Sequence, residues 1–231
     1  MNIKDFSTPE GYTEFVKNLV SPHSMVDFNS KLSTAALGLS GECGEIAQLL
    51  TTVNLINLSE ETLNQDPVEK IDPETGESYI CFYRLEQSSI DDIILELGDI
   101  IWYVTFASIF VVETPLEYFI PEKYHPGEMT LWQKKTSFNA AHTQLSINCG
   151  SFADLVKKIL FHGKPCTSVE IEKLKDNLIV IMKMVEFIGI DFCGVFIDEI
   201  IKRNVVKLSG RYKSLEFNTK EFLEKENAKN Q

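Results

Sequence analysis

Two pairs of carboxylates stand out by their spacing: Glu42 with Glu45, and Glu96 with Asp99, each three residues apart. On a helix that spacing puts both members of a pair on one face. Glu42 lies in LGLSGECGEIAQLL, and Glu96 and Asp99 lie in ILELGDIIWYV, apolar and small-residue stretches that suit merely solvated acids poorly. Two unit charges about 4 Å apart repel by roughly 4 kcal/mol at an effective dielectric of 20, so four converging carboxylates need cations. A ligand set made only of oxygen suits a hard ion, Mg²⁺ with Mn²⁺ as substitute. Four separate surface acids would satisfy the same spacing.

A second constellation is KRNVVKLSGRY, where Asn204, Lys207 and Arg211 recur along one helical stripe with Tyr212 beside it. Donors in a row suit phosphate oxygens, arginine as a fork, lysine as a point charge and asparagine as a neutral donor. A basic helix end also simply complements the helix dipole. Trp102, three residues after Asp99, shares the metal face, where it would stack on a base or pack in the core. Glu122-x-x-His125 has the spacing of half a di-iron motif, but prolines flank it and it has no helical twin. Cys43 sits between two of the acids, whose field should raise its pKa and keep it from acting as a nucleophile.

Helices must position these groups. Thr8, Pro9 and Glu10 form a helix start, with threonine as N-cap and proline at the first helical position. That helix should run to about Val20, where Ser21-Pro22 stops it. The acidic pairs fall on a second helix over about 29–53 and a third over about 89–112. Between them, the turn cluster DPETGES and the alternation SYICFYRLE predict a two-stranded excursion. After a Pro/Gly-interrupted connection over 114–127, helices are expected over about 131–164, 168–189 and 191–208, and the polar tail 218–231 should fray. The expected fold class is all-α, a helical bundle with a small β-like insertion near residues 57–87, in a single domain over 1–231.

Composition limits the partners. The 231 residues, 44% of them hydrophobic, are enough to bury a substantial core. With 22 Lys+Arg against 34 Asp+Glu, a net charge of −12 argues against nucleic acid and an anionic membrane as partners. A small anionic substrate is still compatible, because bound cations invert the local field. Five scattered cysteines without a C-x-x-C pair read as free thiols in a reducing compartment. The N-terminus lacks the apolar run of a signal peptide, and the uncharged stretch 100–112 is short of the roughly 20 residues of a bilayer span. The expected location is cytoplasmic.

The chain also resembles itself. LSGECGEIAQLL, from position 39, aligns with LSINCGSFADLV, from position 145, sharing Leu, Ser, Cys, Gly, Ala and Leu. IDDIILELGDIIWYV (90–104) lies over EIEKLKDNLIVIMKM (170–184) mainly by apolar pattern, with Glu96 opposite Asp176. This reads as a duplication, 1–112 against 131–217, in which the first half carries the extra segment 57–87.

Together AALGLSGECGE, ELGDIIWYV and NVVKLSGRY resemble the MazG-type nucleotide pyrophosphohydrolases of the all-α nucleoside-triphosphate pyrophosphatase superfamily. The signature of that family is E-x-x-E, then E-x-x-D on the next helix, then N-x-x-K-L-x-x-R-Y, and all three pieces occur in order over 28–52, 89–110 and 189–217. The resemblance implies that Glu42, Glu45, Glu96 and Asp99 bind Mg²⁺ and that Asn204, Lys207, Arg211 and Tyr212 contact nucleotide phosphates. Two departures matter: Glu45 and Glu96 are separated by 50 residues, and the basic segment begins 105 positions after Asp99 rather than directly. The duplication explains both. The second half keeps the basic segment but has Asn148, Ser151 and Ile179 where the first has Glu42, Glu45 and Asp99. Complementary loss of this kind is what one composite site in a fused pseudo-dimer would leave, closed within a chain or shared across a homodimer.

The expected activity is Mg²⁺-dependent hydrolysis of a nucleoside triphosphate to monophosphate and pyrophosphate. Glu42 or Glu45 would take the proton of the attacking water, and Lys207 and Arg211 would neutralise the leaving group. The rivals are a nucleotide-binding protein without turnover and a helical interaction module. Within the resemblance, phosphoribosyl-ATP and alarmone nucleotides are alternative substrates.

Overall fold

The computed structural model describes residues 6–52, 68–71, 78–81, 87–122 and 131–221. Among them are six α-helices: α1 (Pro9–Leu19), α2 (Phe28–Thr52), α3 (Gln87–Phe110), α4 (Leu131–His162), α5 (Ser168–Ile188) and α6 (Ile197–Arg211). Strands β1 (Val68–Ile71) and β2 (Ser78–Cys81) pair antiparallel, Val68 opposite Cys81 and Ile71 opposite Ser78. The fold is all-α with this small hairpin, and the hairpin lies where the sequence predicts the two-stranded excursion. The rest of that insertion, His125 and residues 222–231 of the tail are outside the described residues.

Helix α1 begins as its residues dictate. The Thr8 side chain accepts from the Gly11 amide at 3.1 Å and Pro9 occupies the first turn. Its buried residues Tyr12, Phe15, Val16 and Leu19 recur at helical spacing and form one face. Asp27 opens α2 in the same way, its Oδ1 accepting from the Ser30 amide at 2.7 Å. The stripe Leu32, Ala35, Leu39, Cys43 and Ile46 then turns inward.

Helix α3 carries the centre of the core. Ile93, Ile94, Leu97, Ile100, Ile101, Val104 and Phe106 are all fully enclosed, and α1, α2, α5 and α6 pack about it. Ile90–Phe110 is long and apolar enough to cross a membrane by length and composition, but this packing is that of the core helix of a bundle. Its buried hydroxyls are satisfied within the helix, Thr105 donating to the Ile101 carbonyl and Ser108 to that of Thr105, both at 2.8 Å. Truncating one of its buried isoleucines to alanine should cost about 2–5 kcal/mol.

Helix α4 packs on α2 and on α5. At the α2–α4 crossing Cys43 and Cys149 face one another, and the Cys43 thiol lies 3.7 Å from the Ser146 hydroxyl. The two cysteines are the residues that the internal repeat equates, and equivalent residues meet where a two-fold axis relates two halves. Cys43, Cys149 and Cys193 are buried free thiols, and Cys166 is partly exposed.

The last helix starts later than the sequence predicts. After α5 the chain continues through a π-helical turn, Gly189–Cys193, which ends at Gly194 in the left-handed region with φ 66°. Asp191, which looks like a helix start in the sequence, is thus inside that turn, and α6 begins at Ile197. Beyond α6 the chain doubles back, and the Phe217 amide donates to the Asn18 carbonyl at the end of α1. Asn218 then accepts from the amides of Lys220 and Glu221, so the tail opens with a capped turn.

Candidate functional site

Helix α2 presents Glu42 toward α3, where Glu96 and Asp99 stand on adjoining turns. One carboxylate oxygen from each of the three lies within 4.8 Å of the others, in partly buried surroundings, a group able to hold a metal ion. It is the one such group among the described residues. Glu45, expected as a fourth member, lies outside it and is exposed.

The crowding has an electrostatic consequence. Burial first, then the charges of Asp99, Glu45 and Glu96, push the Glu42 carboxyl up to about 8, with Lys207 acting the other way. Lys207 is the local counter-charge, its Nζ 2.5 Å from Asp99 Oδ2 and 3.8 Å from Glu96 Oε1. Acids of the first half and a cation of the second therefore meet within one chain.

Two glycines allow the close packing this needs. A Cβ on Gly98 would sit 2.8 Å from the Asn204 Cβ, so only glycine lets α6 come this close beside Asp99. A Cβ on Gly38 would fall 2.1 Å from the Tyr103 ring, which lies flush on α2. The α3–α6 contact is tied again where Arg203 pairs with Asp91 at 2.6 Å and with Glu199 at 3.0 Å.

Asn204 is placed differently from the expectation that it contact phosphate. It is fully buried, donating through Nδ2 to Asp99 Oδ1 at 2.7 Å and accepting from the Tyr12 hydroxyl at 2.7 Å. The apolar stripe of α6, Ile197, Ile200, Ile201, Val205 and Leu208, includes position 204 at its centre. That periodicity is the signal in the sequence for its burial. Tyr12, 192 positions away, carries none.

Beside the carboxylates opens a cavity of about 320 Å³, whose walls include Glu42, Asp99, Trp102, Tyr103, Arg211 and Tyr212. Ser21, Ser24 and Thr34 add hydroxyls from the α1–α2 connection and the start of α2. The structure thus brings Trp102, Arg211 and Tyr212 to one cavity with Glu42 and Asp99, whereas Glu45, Glu96, Asn204 and Lys207, expected to face it, are not among its lining residues. Sequence reasoning does not single out Tyr103, although it follows Asp99 by four residues and so shares its face. Trp102 stacks on Phe106, ring centroids 5.8 Å apart, and among the described residues its buried Nε1 has no hydrogen-bond partner. Burial, then Glu42 and Asp99, push the Tyr103 phenol up to about 12, which keeps it a neutral donor. Among the described residues no carboxylate pairs with Arg211, in contrast to Lys207.

The remaining candidates lie elsewhere, and Cys43 behaves opposite to expectation. Its thiol faces α4, and hydrogen bonds with Cys149 and Ser146 draw its pKa down against the effect of burial. Lys31 lies over the Phe110 ring at 5.9 Å. A more open cleft of about 750 Å³ between α4 and α5 is lined by Ser151 and Asp176, which the sequence alignment sets opposite Glu45 and Glu96, together with Lys158, Lys164 and Lys173. Glu170 pairs with Lys164 and Lys173, and Asp154 with Lys158, so among the described residues that cleft has neither a carboxylate group for a metal nor a free basic wall.

Compared with known proteins, the chain matches no family model, no curated protein and no solved structure.

Proposed function

We propose that the protein is a divalent-cation-dependent nucleoside triphosphate pyrophosphohydrolase, converting a nucleoside triphosphate and water to the monophosphate and pyrophosphate. The observation that carries this is the convergence of Glu42, Glu96 and Asp99 from α2 and α3, with Lys207 of α6 paired to Asp99 from 108 positions away and Arg211 of α6 lining the cavity that Glu42 and Asp99 share. The motif order that resembles the MazG-type enzymes supports the same reading.

Glu42, Glu96 and Asp99 are the residues that would hold Mg²⁺ or Mn²⁺, since they offer oxygen alone at ligand spacing. When bound, the ion supplies Lewis-acid polarisation of phosphate oxygens and a lowered pKa for an attacking water. Glu45, exposed and outside the ligand group, is the residue left to take that water's proton. Arg211 receives phosphate oxygens as a planar fork, and Lys207 exchanges Asp99 for the leaving pyrophosphate. Trp102, Tyr103 and Tyr212 give the remaining cavity an aromatic wall with phenolic hydroxyls, which suits a base and its ribose.

The test is pyrophosphate release from a panel of ribo- and deoxyribonucleoside triphosphates, with Mg²⁺ and with EDTA. Pyrophosphate and monophosphate in equal amounts, only with the ion, are expected. Asp99→Asn should retain under about a tenth of the rate, a loss of at least about 1.4 kcal/mol. Orthophosphate with diphosphate as products would overturn the reading, and tight nucleotide binding without turnover would favour the sensor instead.

A further inference from the structure

We propose that Tyr12 is a positioning residue for the metal centre, acting on Asp99 through Asn204. The inference rests on the reading that Glu42, Glu96 and Asp99 hold a cation. The Tyr12 hydroxyl on α1 donates to Asn204 Oδ1 on α6, and Asn204 Nδ2 donates to Asp99 Oδ1 on α3, each at 2.7 Å. Tyr12 and Asn204 are both fully buried, so water does not compete for these bonds.

The chain of bonds has a direction. The carboxylate can only accept, so the amide must turn its NH₂ toward Asp99 and its oxygen toward Tyr12, and the phenol must donate. Burial, and then the Asp99 charge, hold that phenol well above its usual pKa, which keeps its proton in place. With Oδ1 pinned, the Asp99 carboxylate is not free to rotate, and Oδ2 faces the side where Lys207 and Glu96 lie. The relay therefore fixes which oxygen of Asp99 is offered to a cation.

Stability alone does not call for this arrangement. Asn204 occupies an apolar stripe of α6 where leucine would pack, and replacing both members of a buried hydrogen-bonded pair by apolar groups is often nearly neutral. A buried amide aimed at a metal-ligand carboxylate instead fits an outer-shell role, and loss of such partners typically weakens metal binding 10- to 100-fold.

The experiment is calorimetric titration of the full chain with Mn²⁺ alone, without nucleotide, for wild type, Tyr12→Phe, Val16→Ala and the double variant Tyr12→Phe/Asn204→Leu. Tyr12→Phe removes a single oxygen and should raise the Mn²⁺ dissociation constant about tenfold. Val16→Ala, which opens a cavity one turn along the same helix face but removes no atom of the relay, should leave the constant unchanged although it lowers the melting temperature. The double variant leaves no unpaired amide behind. It should fold and should bind at least as weakly as Tyr12→Phe, which keeps the test decisive if the single variant does not fold. Wild-type affinity in a folded Tyr12→Phe or double variant overturns the inference alone. Equal weakening in Val16→Ala reduces the relay to packing and overturns it too. Absence of Mn²⁺ binding by the wild type overturns both this inference and the metal-site reading.

Discussion

Glu42 is where burial, and after it the crowding of charge, has its sharpest measurable consequence. Its carboxyl holds a proton up to about pH 8, against 4.5 for an unperturbed group. A carboxyl whose pKa is raised by folding contributes most stability below the unfolded value, and that contribution is lost as pH rises through the folded one. In EDTA, the melting temperature of the wild type should therefore fall between pH 4.5 and about 8. Asp191, raised to about 7 by burial, adds in the same direction, so the comparison that isolates Glu42 is with Glu42→Gln. That variant should show a shallower fall and should melt above the wild type at pH 8. A Glu42→Gln protein that melts below the wild type there would mean that the carboxylate is satisfied rather than crowded. The acid pairs are legible from their i, i+3 spacing, yet the same spacing hides the exposure of Glu45. Residues three apart point about 60° away from each other around a helix axis, and only Glu42 on α2 is turned into the group. Asn204 departs from its expected role for a related reason. It belongs to two stripes of α6, one of donors and one of apolar residues, and packing against Gly98 decides for the second.

The elements are the most legible level, because their ends carry local chemistry. Thr8 with Pro9 marks the start of α1, and Ser21-Pro22 its end, within a residue. The start of α6 is hidden because a π-helical turn has no pattern of its own and Gly194 alone marks its end. Helix-to-helix distance is likewise not written in periodicity. It is set here by Gly98, where an added Cβ would lie 2.8 Å from the Asn204 Cβ and 3.0 Å from Nδ2. Gly98→Ala should push α6 outward and cost about 1–3 kcal/mol, even though alanine is the better helix former. The same shift should lengthen the bond from Asn204 to Asp99 and weaken Mn²⁺ binding. Chemical denaturation together with Mn²⁺ titration checks both. Unchanged stability and affinity would show that α6 yields without disturbing the centre.

Over the whole molecule, the internal resemblance of the sequence leads us to propose a fused pair of degenerate halves, which would account for the long gap between acids and donors. The meeting of Cys43 with Cys149 is what such a two-fold relation calls for. Because Lys207 reaches Asp99 within one chain, mixing Glu45→Gln chains with Lys207→Ala chains should restore no activity even after subunit exchange. Recovery would instead mean a site shared between chains. The hairpin 68–81 is remote in sequence from the centre, but β2 packs on the π-helical turn before α6. Replacing 57–87 by a short Gly/Ser linker should then lower stability while leaving Mn²⁺ binding intact. An insoluble product or lost Mn²⁺ binding would contradict this. The proposed chemistry places water on the α-phosphate, with pyrophosphate leaving past Lys207 and Arg211. Turnover of a nucleoside triphosphate in ¹⁸O-water with Mg²⁺, followed by mass spectrometry of the products, reads the attacked phosphorus directly. One ¹⁸O atom in the nucleoside monophosphate and none in pyrophosphate is the expected result; label in pyrophosphate or orthophosphate, or no turnover of any triphosphate, would contradict it.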